Sequence, residues 1–248
     1  MKIVKFQTST KDQWGVLDGE TIRSIEGDPF NGIDINDETH SLSDVTLLAP
    51  ISPLNKVPAI AANYGVRDDR DGPGIFMKQP GTYQRHEGNI VFPRSCKTVI
   101  HEAEVGIVIS KVARHIDEKN ALDYVFGYTC VNDVTAMDLV KKDSTFDQWT
   151  RAKSFDTFGV FGPCVVSDVD PMNLRVTSKL NGKIVQDYNT SDMFFNVFEI
   201  VSYLSKDMTL FPGDIIACGT NSGLGPMSEN DIIEIEIQGI GKIVNKLT

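Results

Sequence analysis

The chain has 248 residues, of which 41% are hydrophobic and 23% are charged. This composition is ordinary for a globular protein that is long enough to bury a substantial core. The formal net charge of -10 argues against nucleic acid or an anionic membrane surface as a partner, because an acidic surface repels both. A small anionic substrate is compatible with this charge if a metal ion or a lysine binds it locally.

Neither a membrane span nor an export signal is expected. The N-terminal segment MKIVKFQTST lacks the apolar stretch of a signal peptide, and no apolar run approaches the roughly 20 residues of a membrane helix. We therefore expect a cytoplasmic protein with neither a nucleic-acid nor a membrane partner. The cysteines are widely spaced without a C-x-x-C pair, so buried free thiols are favoured over a disulfide framework, a zinc knuckle or a redox motif. These cysteines are Cys96, Cys130, Cys164 and Cys218.

Residues 1–50 are expected to form a small N-terminal β domain. The runs KIVKFQ and WGVLDG are typical of short strands, and Gly19-Glu20 predicts a hairpin turn before ETIRSIEG. A polar, turn-rich stretch follows. Pro50 and Pro53 then favour an extended connector, which places the boundary to a larger second domain, residues 51–248, at this point.

A charged, glycine-rich loop follows the first strand of the larger domain. The run VPAIAANY predicts a buried strand that ends at Asn63 and Tyr64, and IFMKQP predicts the strand after the loop. Loops at strand ends are frequent positions of active-site lids. The guanidinium groups of Arg67 and Arg70 in this loop are well shaped to bind a substrate carboxylate, although pairing with the neighbouring aspartates is an equal alternative.

Two glutamates two residues apart occur in the run HEAEVGIVI, residues 101–109. Side chains alternate along a strand, so Glu102 and Glu104 project from one face and His101 projects from the other. Adjacent carboxylates repel each other unless a cation or water compensates them, and hard divalent cations prefer carboxylate oxygens. The alternative is the solvated face of an edge strand, which is favoured when this pattern stands alone.

Two further polar side chains extend the pattern. The run GYTCVNDVT predicts a strand that ends at Asn132 and Asp133, and Asp133 is a candidate third oxygen ligand. Lys153 follows Ala152 in RAKSFDTFG, where phenylalanines are close by. A lysine in a partly apolar setting can donate a hydrogen bond to a developing anion.

The rest of the chain continues the β pattern. Asn181-Gly182 predicts a hairpin turn, while Asp117 and residues 190–192 are expected to cap two helices. In the loop GTNSGLG, glycines allow backbone N–H groups to converge on an anion. The alternating tail IIEIEIQGIGKIVNKL closes the sheet, with a second E-x-E pair on a solvated face. Together these elements predict a mixed, β-rich α+β fold whose sheets roll around a core, without alternating βαβ units.

Four segments, taken in order, resemble the fumarylacetoacetate hydrolase family: HEAEVGIVI, GYTCVNDVTAMDL, RAKSFDTFGVFGP and GDIIACGTNSGLGP. The family carries E-x-E, a distant N-D and K-S-F-D-T in this order, and the similarity runs from about Leu47 to the C-terminus. The resemblance implies a β-roll catalytic domain over residues 51–248 and a small N-terminal β domain, in a protein that is usually a homodimer.

The resemblance also implies roles for individual residues. Glu102, Glu104 and Asp133 would be the ligands of Mg²⁺ or Mn²⁺, with Ca²⁺ as an alternative. Lys153 would be the catalytic lysine. The substrate-binding candidates are Tyr64, Arg67, Arg70, Thr220 and Asn221.

Two departures from the family pattern bear on the reaction. Arg67 and Arg70 stand where relatives carry the His and Glu of N-Y-x-x-H-x-x-E, a pair that activates water. Arginine stays protonated and cannot serve as a general base. His86 is an alternative base, although a surface turn is favoured for it. Met137 and Val140 replace an Arg and a Gln that are usual in relatives. If these positions line the site, the pocket is more apolar, and packing behind the site is an equal alternative.

The resemblance implies a metal-dependent enzyme for a 2-oxo or 1,3-diketo acid. The metal would bind the oxo-acid oxygens as a Lewis acid and favour the enolate, and Lys153 would donate to the developing charge. The leading hypothesis is hydrolysis of a C–C bond in an acylpyruvate-like substrate. Decarboxylation or tautomerisation of a 2-oxo acid such as oxaloacetate is the alternative, and it needs no activated water. A non-catalytic metal-binding protein is the alternative from another class, and Lys153 argues against it.

Overall fold

The computed structural model describes residues 1–65 and 72–248, and strands dominate this part of the chain. The strands are β1 (Lys2–Gln7), β2 (Asp12–Asp18), β3 (Thr21–Ile25), β4 (Ile35–Ser41), β5 (Thr46–Leu48), β6 (Val57–Ala61), β7 (Gly74–Lys78), β8 (Tyr83–Gln84), β9 (Asn89–Ile90), β10 (Val99–His101), β11 (Ala103–Ile109), β12 (Val125–Asp133), β13 (Thr135–Ala136), β14 (Gly159–Val166), β15 (Arg175–Leu180), β16 (Lys183–Asn189), β17 (Ile215–Ala217), β18 (Gly225–Met227), β19 (Ile232–Ile237) and β20 (Gly241–Leu247). The α-helices are α1 (Met137–Val140), α2 (Trp149–Lys153) and α3 (Val197–Asp207). Short 3-10 helices span Pro29–Asn31, Leu42–Asp44, Glu118–Tyr124 and Thr190–Asp192.

The described strands form three sheets. The largest has 12 strands in the order β4-β3-β2-β1-β14-β12-β11-β17-β6-β7, with β5 beside β1 and β8 beside β14. A 5-stranded sheet has the order β16-β15-β19-β20-β9, and a 3-stranded sheet has the order β13-β10-β18. Most pairs are antiparallel, whereas β8 with β14, β6 with β17 and β9 with β20 are parallel. The mixed, β-rich fold class expected from the sequence is confirmed.

The N-terminal strands extend the largest sheet. β1 pairs with β14 through Lys2 opposite Val166 and Ile3 opposite Val165. The alternation of β1 places Ile3 in a small core of N-terminal residues, and it places Val4 and Phe6 in the main core of the molecule. Residues 1–50 are therefore joined to the rest by both hydrogen bonds and packing. The domain boundary at residue 50 stays a prediction.

The two hairpin turns predicted from the sequence, at Asn181-Gly182 and at Gly19-Glu20, are confirmed. Asn181 and Gly182 have φ values of 50° and 79° and connect β15 to β16. Positive φ at both positions matches the twist of a hairpin, and Asn-Gly adopts it at low cost. The turn at Gly19, with φ of 58°, likewise connects β2 to β3.

The expected helix caps need correction. Residues 190–192 form a 3-10 helix, and α3 begins only at Val197. The side chain of Asn196 accepts hydrogen bonds from the backbone N–H groups of Phe198 and Glu199, and the Glu199 carboxylate accepts from the Asn196 N–H in return. This capping box satisfies the free N–H groups of the first turn and fixes the start of α3.

The second expected helix is also different. Residues 118–124 form a 3-10 helix, and Asp117 makes no side-chain hydrogen bond at its start. None of the described helices combines the length and the apolar character needed to cross a membrane. All four cysteines are buried free thiols.

Candidate metal and substrate site

The candidate site lies where the chain crosses twice between two sheets. Glu102 separates β10, in the 3-stranded sheet, from β11, in the 12-stranded sheet. Val134 separates β12 from β13 in the same way. The two crossings are hydrogen-bonded to each other, since the Asp133 N–H donates to the Glu102 carbonyl at 3.0 Å and the Glu102 N–H donates to Asn132 Oδ1 at 3.1 Å. The continuous strand expected over residues 101–109 is therefore interrupted at Glu102.

Three carboxylates converge at these crossings. One oxygen each of Glu102, Glu104 and Asp133 lies within 4.8 Å of the others. Glu104 is 1% exposed and Asp133 is completely buried. The antiparallel pairing of β11 with β12, in which Ala103 is opposite Asn132, brings the three residues together.

Lys153, the last residue of α2, is bonded to this cluster. Its Nζ donates to Glu102 Oε1 at 2.9 Å and to Asp133 Oδ2, and it lies 4.8 Å from the centre of the Phe76 ring. Burial alone would lower the pKa of Lys153, but the negative charges of Asp133, Glu102 and Glu104 outweigh it and raise the pKa above its usual value. Lys153 is therefore an ammonium group fixed at the wall of the site.

A second lysine, which the sequence analysis did not identify, is also bonded to Asp133. Lys78 is the last residue of β7 and is completely buried. Its Nζ donates to Asp133 Oδ1 at 2.5 Å and to the carbonyl oxygen of Lys153 at 2.7 Å. The signal that would have identified it is a lysine at the end of the apolar strand IFMK, because a buried charge needs a partner.

Glu102 and Asp133 accept hydrogen bonds from lysine ammonium groups, whereas Glu104 accepts one from a backbone N–H. Burial, together with the charges of Asp133 and Glu102, raises its pKa well above the usual value, while the Gly219 N–H donates to its Oε2 at 2.8 Å. A divalent cation close to Glu104 would favour its ionised form and supply the positive charge that the site requires. This set of carboxylate oxygens therefore fits a hard divalent cation.

A cavity of about 380 Å³ opens next to the carboxylates. Tyr64, Thr220 and Asn221 line it together with Glu102, Glu104 and Lys153, so three of the five substrate-binding candidates are brought to one place. Arg67 and Arg70 lie outside the described residues. The apolar lining residues are Ile60, Ala61, Ala62, Phe76, Ile100, Met137, Trp149 and Leu224.

The remaining sequence candidates lie at different distances from the cavity. Met137 lines it, whereas Val140 is buried in the hydrophobic core. The Nδ1 atom of His86 accepts a hydrogen bond from the Val244 N–H of β20. His101 is buried beside Glu102, and burial lowers its pKa to about 4. Neither histidine is among the described residues that line the cavity.

The glycine-rich loop reaches the cavity because its start is held by the sheet. The Cys218 N–H donates to the Val105 carbonyl at 3.0 Å, and the next N–H, that of Gly219, donates to Glu104. Gly219 has a φ of +90°, and a Cβ at this position would lie 2.9 Å from the Cβ of Asn63. Only glycine fits this conformation and this close approach without strain.

Comparison with known proteins identifies related chains over the whole length. Residues 56–248 match the family model described as fumarylacetoacetate (FAA) hydrolase C-terminal, and residues 1–50 match the model described as Rv2993c-like, N-terminal. The chain is 34% identical over 222 residues to the oxaloacetate tautomerase Fahd2a, mitochondrial, of Rattus norvegicus, an alignment that covers 83% of this chain and 70% of the rat protein.

Two solved structures have the same fold. The 2-hydroxyhepta-2,4-diene-1,7-dioate isomerase from Mycobacterium marinum is 36% identical, with a TM-score of 0.93 over 100% of this chain and 98% of that one. Maleylpyruvate hydrolase from Sphingobium sp. SYK-6, solved with manganese(II) and pyruvate, is 26% identical, with a TM-score of 0.84 over 100% of this chain and 99% of that one. The chain therefore belongs to the fumarylacetoacetate hydrolase family, whose members include isomerases, tautomerases and hydrolases.

Proposed function

We propose that the chain is a divalent-metal-dependent enzyme that interconverts the keto and enol forms, or the double-bond isomers, of a 2-oxo acid. The observation that carries this proposal is the contact of the Lys153 ammonium with two of three converging carboxylates at the wall of a cavity. A metal site without chemistry does not require a charged donor at this place, so the non-catalytic alternative is disfavoured.

The carboxylates and the lysine would have separate roles. Glu102, Glu104 and Asp133 would hold Mg²⁺ or Mn²⁺, with Ca²⁺ as an alternative, and the bound ion would supply a Lewis acid for the oxygens of the substrate. Enolisation transfers a proton from C3 to a base and leaves negative charge on the C2 oxygen, which takes up a proton to give the enol. The Lys153 ammonium would donate a hydrogen bond to this oxygen and stabilise the charge as it develops.

The lining of the cavity supports substrate-binding roles for three of the candidate residues. Thr220 and Asn221, on the loop after β17, would bind the substrate carboxylate together with Tyr64. Arg67 and Arg70 would add guanidinium donors to the same carboxylate.

The assembly of the protein as a homodimer stays a prediction.

Isomerisation is favoured over hydrolysis by the residues that replace the family's water-activating pair. Arg67 and Arg70 remain protonated, so neither can take a proton from water. Isomerisation needs a base that takes the C3 proton and an acid that returns it, but it consumes no water and needs no base that activates water.

Cleavage of a C–C bond in an acylpyruvate-like acid is the second candidate, and it is the leading hypothesis from the sequence. One observation favours it: the maleylpyruvate hydrolase shares the fold over the whole chain. Both candidates use the same carboxylates and lysine, because bond cleavage also develops negative charge on an enolate oxygen. They differ in the need for a base that activates water.

The experiment that tests the proposal follows the enol absorbance of oxaloacetate and of an acylpyruvate with Mg²⁺, Mn²⁺ or a chelator, and identifies the products by NMR. We expect metal-dependent interconversion of enol and keto forms without bond cleavage, and we expect it to be lost in Glu104→Ala. Pyruvate and a free acid from the acylpyruvate would establish the hydrolase instead. Carbon dioxide from oxaloacetate would establish a decarboxylase. Metal binding without turnover of either acid would contradict an enzymatic function.

A further inference from the structure

A buried glutamine connects the carboxylate cluster to the loop that lines the cavity. Gln186, in β16, is 1% exposed and is not among the described residues that line the cavity. Its Oε1 accepts from the Ala103 N–H at 3.1 Å, and its Nε2 donates to the Asn221 carbonyl at 2.9 Å. Because a backbone N–H can only donate and a carbonyl can only accept, these two bonds fix the orientation of the amide.

The other two bonds of Gln186 complete its hydrogen-bonding capacity. Oε1 also accepts from the Ser178 hydroxyl at 3.1 Å, and Nε2 also donates to Thr220 Oγ1 at 2.8 Å. Thr220 therefore accepts from Gln186 and keeps its own hydroxyl proton for donation elsewhere. Gln186 therefore holds the Thr220–Asn221 segment from the side of β16, where the Thr220 hydroxyl also has Tyr188 as a hydrogen-bonding neighbour.

Gln186 contacts β11 between the two glutamates of the carboxylate cluster. Ala103 lies between Glu102 and Glu104, and its backbone is held from the side of β16. Tyr188, two residues after Gln186 and thus on the same face of β16, donates to the Ala103 carbonyl. β16 therefore holds the strand segment that carries two of the three carboxylates, while Gln186 extends from it to the loop.

The start of the loop and its tip are held by different contacts. Gly219 is fixed by the sheet and by Glu104, whereas Thr220 and Asn221 are both bonded to Gln186. A change at Gln186 would therefore move the tip of the loop, whereas Tyr188 and the pairing of β11 with β12 would still hold Ala103 between the two glutamates. The two effects can be separated by experiment.

We propose that Gln186 is a positioning residue, which sets the distance between the carboxylate cluster and the Thr220–Asn221 segment and thereby the binding of the substrate carboxylate. The inference rests on the proposed function, in which this segment holds that carboxylate. Gln186 acts through Thr220 and Asn221 and does not itself touch the substrate.

The test compares Gln186→Glu and Gln186→Asn with Ser178→Ala. Glutamate has the same shape, but an ionised carboxylate cannot donate to the Asn221 carbonyl. Asparagine keeps the amide and shortens its reach, so it cannot contact strand and loop together. Ser178→Ala removes one donor to Oε1 and retains both bonds to the loop, which makes it the matched control.

The measurements are KM and kcat for keto–enol interconversion of oxaloacetate, and the affinity of each variant for Mn²⁺ by calorimetry. Uniform binding of substrate and transition state by the loop predicts that KM rises about tenfold or more in both Gln186 variants, with kcat within about threefold of wild type. The Mn²⁺ affinity should remain within about threefold, and Ser178→Ala should resemble wild type.

The results separate this inference from the proposed function. Wild-type protein that converts no 2-oxo acid contradicts the proposed function. If the wild type is active, two results for Gln186→Asn contradict the positioning role. One is an unchanged KM, and the other is a loss of Mn²⁺ affinity equal to the loss of kcat at constant KM. If Gln186→Glu does not fold, as judged by its thermal unfolding curve, the shorter amide variant decides the question.

Discussion

One ammonium group is bonded to each oxygen of Asp133. Lys78 approaches Oδ1 from β7, and Lys153 approaches Oδ2 from α2. Burial alone would raise the pKa of Asp133, but the charges and hydrogen bonds of the two lysines outweigh it and lower the pKa. Lys153 lines the cavity, whereas Lys78 is completely enclosed. We infer that Lys78 holds the aspartate in place, and that Lys153, although it also donates to Glu102 and Asp133, is the ammonium group at the wall of the cavity.

The role of Lys78 predicts a large loss of stability in Lys78→Met. Removal of one partner leaves a buried carboxylate with an incomplete set of donors, which costs about 3–5 kcal/mol of unfolding free energy in comparable pairs. Urea denaturation measures this loss. Lys242→Met is the matched control, because the side chains of Lys242 and Glu234 are 47% and 23% exposed, and a solvent-accessible pair should contribute less than about 1 kcal/mol. Equal effects of the two substitutions would contradict the assigned role.

At the scale of elements, α2 carries two residues of the site. Lys153 is its last residue and Trp149 its first, and the Trp149 ring stacks on Phe76 with centroids 5.9 Å apart. Both aromatic rings line the cavity. The short helix therefore links the ammonium donor to an aromatic wall.

This arrangement predicts a fluorescence signal for ligand binding. The chain has 2 tryptophans, and the other one, Trp14, lies in β2. In a Trp14→Phe background, oxalate added as an analogue of an enolised 2-oxo acid should change the emission of Trp149 in the presence of Mg²⁺. Without Mg²⁺, or in Glu104→Ala with Mg²⁺, the change should be absent. A change that does not depend on the metal would contradict a metal-assisted binding mode.

The loop after β17 predicts a contrast between two glycines with similar backbones. Gly219 has a φ of +90° and approaches Asn63 closely, whereas Gly182 has a φ of +79° with open space around it. Alanine at either position adopts a left-handed conformation at a cost of about 1–2 kcal/mol. Gly219→Ala should in addition displace Thr220 and lower the enzymatic activity at least about tenfold, a loss of transition-state stabilisation. Gly182→Ala should retain the activity, and an inactive Gly182→Ala would contradict a specific role of Gly219 in positioning Thr220.

The parts of the fold that were predictable are those with short-range signals. Alternation and turn residues indicated the hairpin at Asn181-Gly182. The spacing of Glu102 and Glu104 indicated that their carboxylates lie close together, although Glu102 lies between β10 and β11 and not within a strand. Lys78 and Gln186 were missed because their partners are distant in the sequence, at separations of 55 residues for Asp133 and 34 residues for Thr220. A polar residue in a strand does not indicate by itself whether it faces solvent or a buried partner.

The start of α3 predicted from the sequence was wrong. Both Thr190-Ser191-Asp192 and Asn196 have side chains suited to an N-cap, and the first set was preferred from the sequence. Asn196 has the advantage of Glu199 three residues later, which completes a capping box. Residues 190–192 are instead used to close β16, because the Thr190 N–H donates to the Leu174 carbonyl. Long-range pairing decided between two local signals of similar strength.

At the scale of the whole molecule, residues 1–50 complete the main sheet. β1 covers the edge of β14, and Val4, Phe6 and Ile22 pack in the main core. A strand edge exposed together with apolar core residues favours aggregation. The β1–β14 pairing and this shared core therefore favour folding of the N-terminal strands and the larger part as one unit.

This continuity predicts that a truncated chain of residues 51–248 will not fold normally. We expect aggregated protein, or protein without a cooperative thermal transition, in size-exclusion chromatography and circular dichroism. A monodisperse truncated protein with a cooperative transition would contradict this expectation. It would favour the division into a small N-terminal β domain and an independent larger domain.

We propose that this chain labilises the C3 protons of a 2-oxo acid through a metal held by Glu102, Glu104 and Asp133. The most direct test is deuterium incorporation at C3 of oxaloacetate in D₂O, followed by NMR against the spontaneous rate. We predict exchange that requires Mg²⁺ or Mn²⁺, that is lost in Glu104→Ala and Lys153→Met, and that is retained in Glu234→Ala, where the second E-x-E pair is changed. Exchange that persists in Glu104→Ala, or none in the wild-type protein with either metal, would contradict the claim.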